Sequence, residues 1–85
     1  MKVLKIKPMD IYHNGQFCYR LITPLKVIDV VCNVNLSRLT KLAIGNKRNG
    51  WLDLYGCVEG FRIPTMFHCK IILDVFISDS LEALL

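Results

Sequence analysis

The sequence predicts a mainly β domain with minor α content. The expected architecture is a small antiparallel barrel or strongly curved sheet of five to six strands, with a short helix after the third long strand and another at the C-terminus. Three observations predict it. Short apolar runs alternate with polar residues and stop at Gly, Pro or Asn. Asn14-Gly15 lies between two β-prone runs, and both residues accept the positive φ of a type I′ hairpin turn. The segment from Lys26 to Val34 is dense in β-branched side chains, which favour a pleated, half-buried surface.

The elements follow in order. Lys2 to Lys7 alternates lysine with apolar residues and reads as a strand stopped by Pro8. Asp10 to His13 and Gln16 to Thr23 form the arms of the Asn-Gly hairpin, with Phe17, Tyr19 and Leu21 on one face of the second arm. Pro24 ends that arm. In Lys26–Val34, residues Ile28, Val30, Cys32 and Val34 face the core, opposite Asp29 and Asn33. The period then changes. Asn35 suits a helix N-cap, Leu36, Leu39, Leu42 and Ala43 fall at helical spacing, and Gly45 suits a C-terminal stop, so a helix of about two and a half turns is expected there.

Lys47 to Gly50 reads as a basic loop, and the next strand alternates Trp51, Asp53 and Tyr55 on one side with Leu52 and Leu54 on the other. Gly56 and Gly60 bracket a turn or bulge, Phe61 to Ile63 is a candidate short strand, and His68 to Ile77 is the longest one. Its expected inner face holds Cys69, Ile71, Leu73, Val75 and Ile77. Ser78 to Ser80 opens the final helix, Leu81 to Leu85. This order is shared by the oligonucleotide-binding barrel, SH3-like barrels and an antiparallel sheet covered by one helix, and no motif chooses among them.

Eighty-five residues suit one domain spanning 1–85, and the 53% apolar fraction is high for a chain this short. That surplus predicts burial against a partner, most simply a second copy in a homodimer. The most apolar stretch, Leu21 to Val34, is broken by Pro24, Lys26 and Asp29, so no membrane span is expected. The lysine-alternating start is unlike a secretory signal, which points to a cytoplasmic protein with reduced, buried cysteines.

Catalysis and metal binding find little support. No Cys-x-x-Cys exists among the four cysteines, and adjacent His68 and Cys69 on a strand point to opposite faces. Asp29, Asp53 and Asp74 are single acids on separate strands, where solvated residues are expected, and no nucleophile elbow or phosphate-cradling loop occurs. No catalytic residue, metal site or cofactor is therefore expected, and the reading is non-enzymatic.

What remains is a binding module. The net charge is +4, and residues 38 to 48 carry Arg38, Lys41, Lys47 and Arg48 without an acid, running directly into Trp51 and Tyr55 on one strand face. Cations along a groove beside aromatic faces suit single-stranded nucleic acid. The expected binding set is Arg38, Lys41, Lys47, Arg48, Trp51 and Tyr55. The alternative is a protein-interaction module, a small subunit, adaptor or inhibitor docking through an apolar face or the edge of the long C-terminal strand.

Overall fold

A computed structural model of the chain describes residues 1–10 and 15–78. Six antiparallel strands form a curled half-barrel sheet: β1 (Lys5–Pro8), β2 (Phe17–Ile22), β3 (Lys26–Cys32), β4 (Leu39–Arg48), β5 (Trp51–Val58) and β6 (Thr65–Phe76). Their order across the sheet is β1-β2-β3-β6-β5-β4. The chain is thus two three-stranded meanders, joined through β3 and β6. Residues 1–4 tie the two outer edges together at one end. The Val3 amide donates to the Leu42 carbonyl at 3.0 Å, Ile44 donates to Met1 at 2.7 Å, and Leu4 donates to Ile22 at 2.8 Å.

The core lies inside the curl. Tyr19 and Leu21 of β2, Ile28, Val30 and Cys32 of β3, Leu42 and Ile44 of β4, Leu52 and Leu54 of β5 and Cys69 of β6 form one buried cluster, joined by Val3 and Leu36. Leu21, Leu52 and Leu54 are fully buried. Each such leucine contributes roughly 1.5–3 kcal/mol by leaving water. Alternation in β2, β3 and β5 therefore selects the inner face as the sequence implies. Two expectations fail. Val34 is exposed beyond the end of β3. In β6 a register shift sets Leu73 opposite Asp29 and Val75 opposite Val27 on the outer face, so that of the expected inner residues only Cys69 and Ile71 join the core.

The expected helix over 35–44 is replaced by a turn and the first half of β4. Asn35 does cap, but it caps a turn: its Oδ1 accepts from the Ser37 amide at 2.9 Å. Leu36 and Leu39 then close the turn through a 3.1 Å backbone bond. Within β4 the pairing to β5 steps three residues against two between Thr40 and Ala43, a β-bulge, with Lys41 at φ 54°. The inserted residue places Leu39 and Leu42 on the same face, three apart. A bulged strand thereby imitates helical spacing. A second bulge follows between Ile44 and Lys47, and Gly45 sits there as a strand residue rather than a helix stop. A Cβ at Gly45 would meet Tyr55 Cε2 at 2.5 Å, so the glycine is needed for the tyrosine ring to lie over the backbone.

Other boundaries shift less. No helical element occurs among the described residues, and the expected C-terminal helix, Leu81 to Leu85, lies outside them. Phe61 to Ile63 is an exposed irregular segment, and β6 starts earlier than expected, at Thr65. The expected first hairpin arm falls largely on residues 11–14, also outside the described residues; β2 pairs instead with β1, from Lys5 opposite Ile22 to Pro8 opposite Tyr19. Asn49 and Gly50, at φ 51° and 80°, form a two-residue turn between Arg48 and Trp51. The basic loop is a tight β4–β5 hairpin.

None of the three single acids stands free. Asp29 is buried and takes a two-pronged bond from Arg20, with distances of 2.8 and 2.9 Å. Asp53 pairs with His68, and Asp74 pairs with both Lys26 and Lys47. They do not form an acid cluster. All four cysteines are free thiols and buried.

Candidate functional site

Register assembles the outer face of the sheet. In β5 the inner positions are Leu52 and Leu54, so Trp51, Asp53 and Tyr55 look outward. Directly paired residues of antiparallel strands share a face. Trp51 is opposite Arg48 on one side and Lys70 on the other, and Lys70 is in turn opposite Val31. Lys70, Trp51 and Arg48 therefore form one row across β6, β5 and β4, with the indole between the two cations.

The next row supplies a second ring. Asp53 is opposite His68, and their side chains meet with His68 Nδ1 at 3.0 Å from Asp53 Oδ1. His68 and Trp51 are diagonal neighbours, and their rings stack at 4.9 Å between centroids with only 8° between planes. Two features hold the stack. The Asn49-Gly50 turn fixes Trp51 at the start of β5, and the Asp53 carboxylate holds the imidazole edge. Trp51 nevertheless remains 41% exposed.

Two depressions flank the stack. One, of about 260 Å³, is lined by Asn46, Arg48, Trp51, Asp53 and His68. The other is smaller, about 70 Å³, and adds Asn33, Gln16 and Lys70 around the same rings. The Gln16 amide donates to the Asn33 carbonyl oxygen at its rim. The surface therefore combines a flat aromatic stack, cations on both sides, and amide and carboxylate groups at the edge.

The six residues expected from sequence divide. Arg48 and Trp51 lie together in this row. Tyr55 shares the outward face of β5, half-buried with its ring over Gly45. Lys47 is elsewhere: it is paired with Leu52 and so sits on the inner-facing side, where its Nζ is 2.8 Å from Asp74 Oδ2. Lys41 lines a separate groove of about 360 Å³ with Lys2, Lys5 and the edge-joining segment. Arg38 is exposed in the turn before β4. The acid-free run of basic residues is thus dispersed over four places by one turn and two bulges.

His68, Lys70, Asp53 and Asn46 were not among the expected binding residues. Alternation does reveal Asp53 beside Trp51. The β6 residues have no such local signal, since their place beside Trp51 depends on the register across the 59–64 connection.

No family model, curated protein or solved structure matches this chain. What this surface does is read from its own side chains.

Among the described residues, no group of three or more His, Cys, Asp or Glu could hold a metal ion. The Cys32 thiol, hydrogen-bonded to Cys69 and buried, is held well above its ordinary value and stays protonated at neutral pH. Burial likewise raises the Tyr19 phenol, although its oxygen accepts from the Leu36 amide at 2.9 Å.

Proposed function

We propose that this protein is a non-enzymatic binding module that takes single-stranded nucleic acid on the outer face of β4, β5 and β6. The observation that carries the reading is the exposed Trp51–His68 stack with Arg48 and Lys70 in register on either side of the indole. A base laid on such a stack is held by its π-face, worth about 1–3 kcal/mol per base, and neighbouring phosphates meet the cations. The positive net charge adds attraction at low salt. The binding set is Arg48, Trp51, His68 and Lys70. Tyr55 extends the aromatic surface along β5, and Arg38, Lys41 and Lys47 have no part in the stack.

Fluorescence anisotropy with a labelled single-stranded oligonucleotide tests this. Binding is expected at low salt and to weaken steeply as salt rises. Trp51→Ala should weaken it by about 10-fold or more, and Lys70→Ala should reduce the salt dependence. Lys47→Ala, whose amine is committed to Asp74, should leave it within about 2-fold, since exposed cations act through the phosphates they reach. Binding that persists unchanged in Trp51→Ala sinks the proposal.

A protein partner, including a second copy, is the other reading. It is favoured by Phe61 and Ile63, which are 70% and 81% exposed in the β5–β6 connection. Absent oligonucleotide binding at low salt, together with a dimer mass by light scattering, would put this reading first.

A further inference from the structure

The larger depression beside the stack carries groups that choose among bases. It is lined by Trp51 and His68 of the stack together with Asp53, Arg48 and Asn46. Asp53 is an acceptor alone, with room for about four hydrogen bonds on its two oxygens. His68 takes one position on Oδ1. A base entering beside Asp53 must therefore present donors.

The Watson–Crick edges differ in this respect. Guanine offers two adjacent donors, N1–H and N2–H₂, which match the two oxygens of a carboxylate. Adenine and cytosine each place a ring-nitrogen acceptor next to the amino group, and that lone pair faces the second carboxylate oxygen. Thymine and uracil have one N–H between two carbonyls, which the carboxylate repels. Arg48 makes the same choice independently, because its fork of donors fits the O6 and N7 acceptors of guanine better than any other base edge.

We infer that the depression lined by Asp53, Arg48 and Asn46 is a guanine pocket, with the base stacked against the Trp51–His68 pair. This rests on the single-strand reading above, which supplies the reason for a base to be there. Lys70, on the far side of Trp51 from Arg48, is left for a backbone phosphate. Asp53 excludes the bases lacking paired donors. His68 is a positioning residue, holding the carboxylate through its 3.0 Å contact.

The experiment compares a labelled oligothymidine with the same strand carrying one central guanine, adenine or cytosine. The guanine strand should bind about 10-fold tighter than the other three, the discrimination expected of one well-formed two-bond contact. Asp53→Asn should cut the guanine preference to about 3-fold, the share that Arg48 keeps, because an amide offers a donor where the carboxylate offered only acceptors. Arg48→Lys, on an exposed side chain, keeps the charge and loses the fork; it should cut the guanine preference while leaving the salt dependence in place. Free guanosine monophosphate should displace the strand at concentrations where adenosine monophosphate does not, which separates recognition of the base from attraction to phosphate. Equal binding of the four strands, or equal displacement by the two nucleotides, overturns the guanine pocket and leaves the strand platform standing. No binding of any strand at low salt overturns both.

Discussion

Three charged side chains close one end of the sheet's inner side, and they show how a single residue type can have two fates. Lys26 and Lys47 both reach Asp74, at 3.2 and 2.8 Å, and the Lys26 ammonium also lies 4.7 Å from the Phe76 ring centre. Burial pushes the Asp74 carboxyl up, but hydrogen bonds from Lys47 and Lys26 outweigh it and hold the group below its ordinary value of 3.8. Lys47, bonded to Asp74, is held above its ordinary 10.5. The signs follow from linkage. Asp74 stabilises the fold above its unfolded value, and that contribution is lost as pH falls through the lower folded value. The Lys47 contribution is complete below 10.5 and is lost as pH rises through the higher folded value. Asp74→Asn is expected to lower unfolding stability by about 1 kcal/mol at neutral pH, since the pair is partly solvated. In urea titrations, its gap to the unmodified protein should close as pH drops below 3.8. A gap of constant size down to the acid limit would show that the carboxylate charge is irrelevant.

At the scale of elements, β4 decides both the fold and the site. Its first bulge puts Lys41 at φ 54°, a region that costs a residue with a Cβ roughly 1 kcal/mol. Asn49 and Gly50 close its hairpin at positive φ, and nothing lies within 4 Å of where a Cβ on Gly50 would stand. Opposite substitutions should therefore have opposite signs. Lys41→Gly is expected to raise stability by about 0.5 kcal/mol, the relief of αL strain less the entropy of a new glycine. Gly50→Ala should lower it by about 1 kcal/mol through backbone strain alone. Thermal unfolding of the two variants checks the pair, and a stabilised Gly50→Ala would refute the turn assignment. Gly50→Ala should also weaken oligonucleotide binding, because the same turn sets Arg48 opposite Trp51.

For the whole molecule, closure matters more than any one strand. Two meanders meet through β3 and β6, while residues 1–4 join the other edges, so that Cys32 and Cys69 lie in the enclosed core; Cys18 and Cys57 face the other way, and all four are at most 4% exposed. Thiols so placed react only when the structure opens, and local opening is limited by the stability of the surrounding sheet. Treating the native protein with a maleimide should label the four cysteines slowly, and denaturant should make all of them react at once. Mass spectrometry reads the result. Rapid labelling of Cys32 or Cys69 in the native state would mean that the core is not closed around them.

How far each level was legible in the sequence follows from where its cause lies. Alternation is local, so β5 could be read directly: Leu52 and Leu54 inward, Trp51 and Asp53 outward. The same reasoning failed over 35–44, because a bulge restores the inward direction after an extra residue and leaves apolar side chains three apart, the spacing of a helix. Asn35 added to the confusion, since an Asx turn and a helix cap use the same side-chain bond. Within the site, Arg48 and Trp51 were legible because two residues of turn separate them. His68 and Lys70 were not, because their register against β5 is set by packing across an irregular connection.

The sequence by itself determined that the chain is mainly β and where most inner faces lie, since period-two patterning needs only neighbouring residues. It also determined that a tryptophan stands beside an arginine. Tertiary structure decided which of the basic residues stay with that tryptophan. It took Lys47 to Asp74 and Lys41 to another groove, and it brought His68 and Lys70 in from β6. The reason is physical: strand pairing converts distant sequence positions into adjacent ones about 5 Å apart, and one inserted residue redirects every side chain that follows.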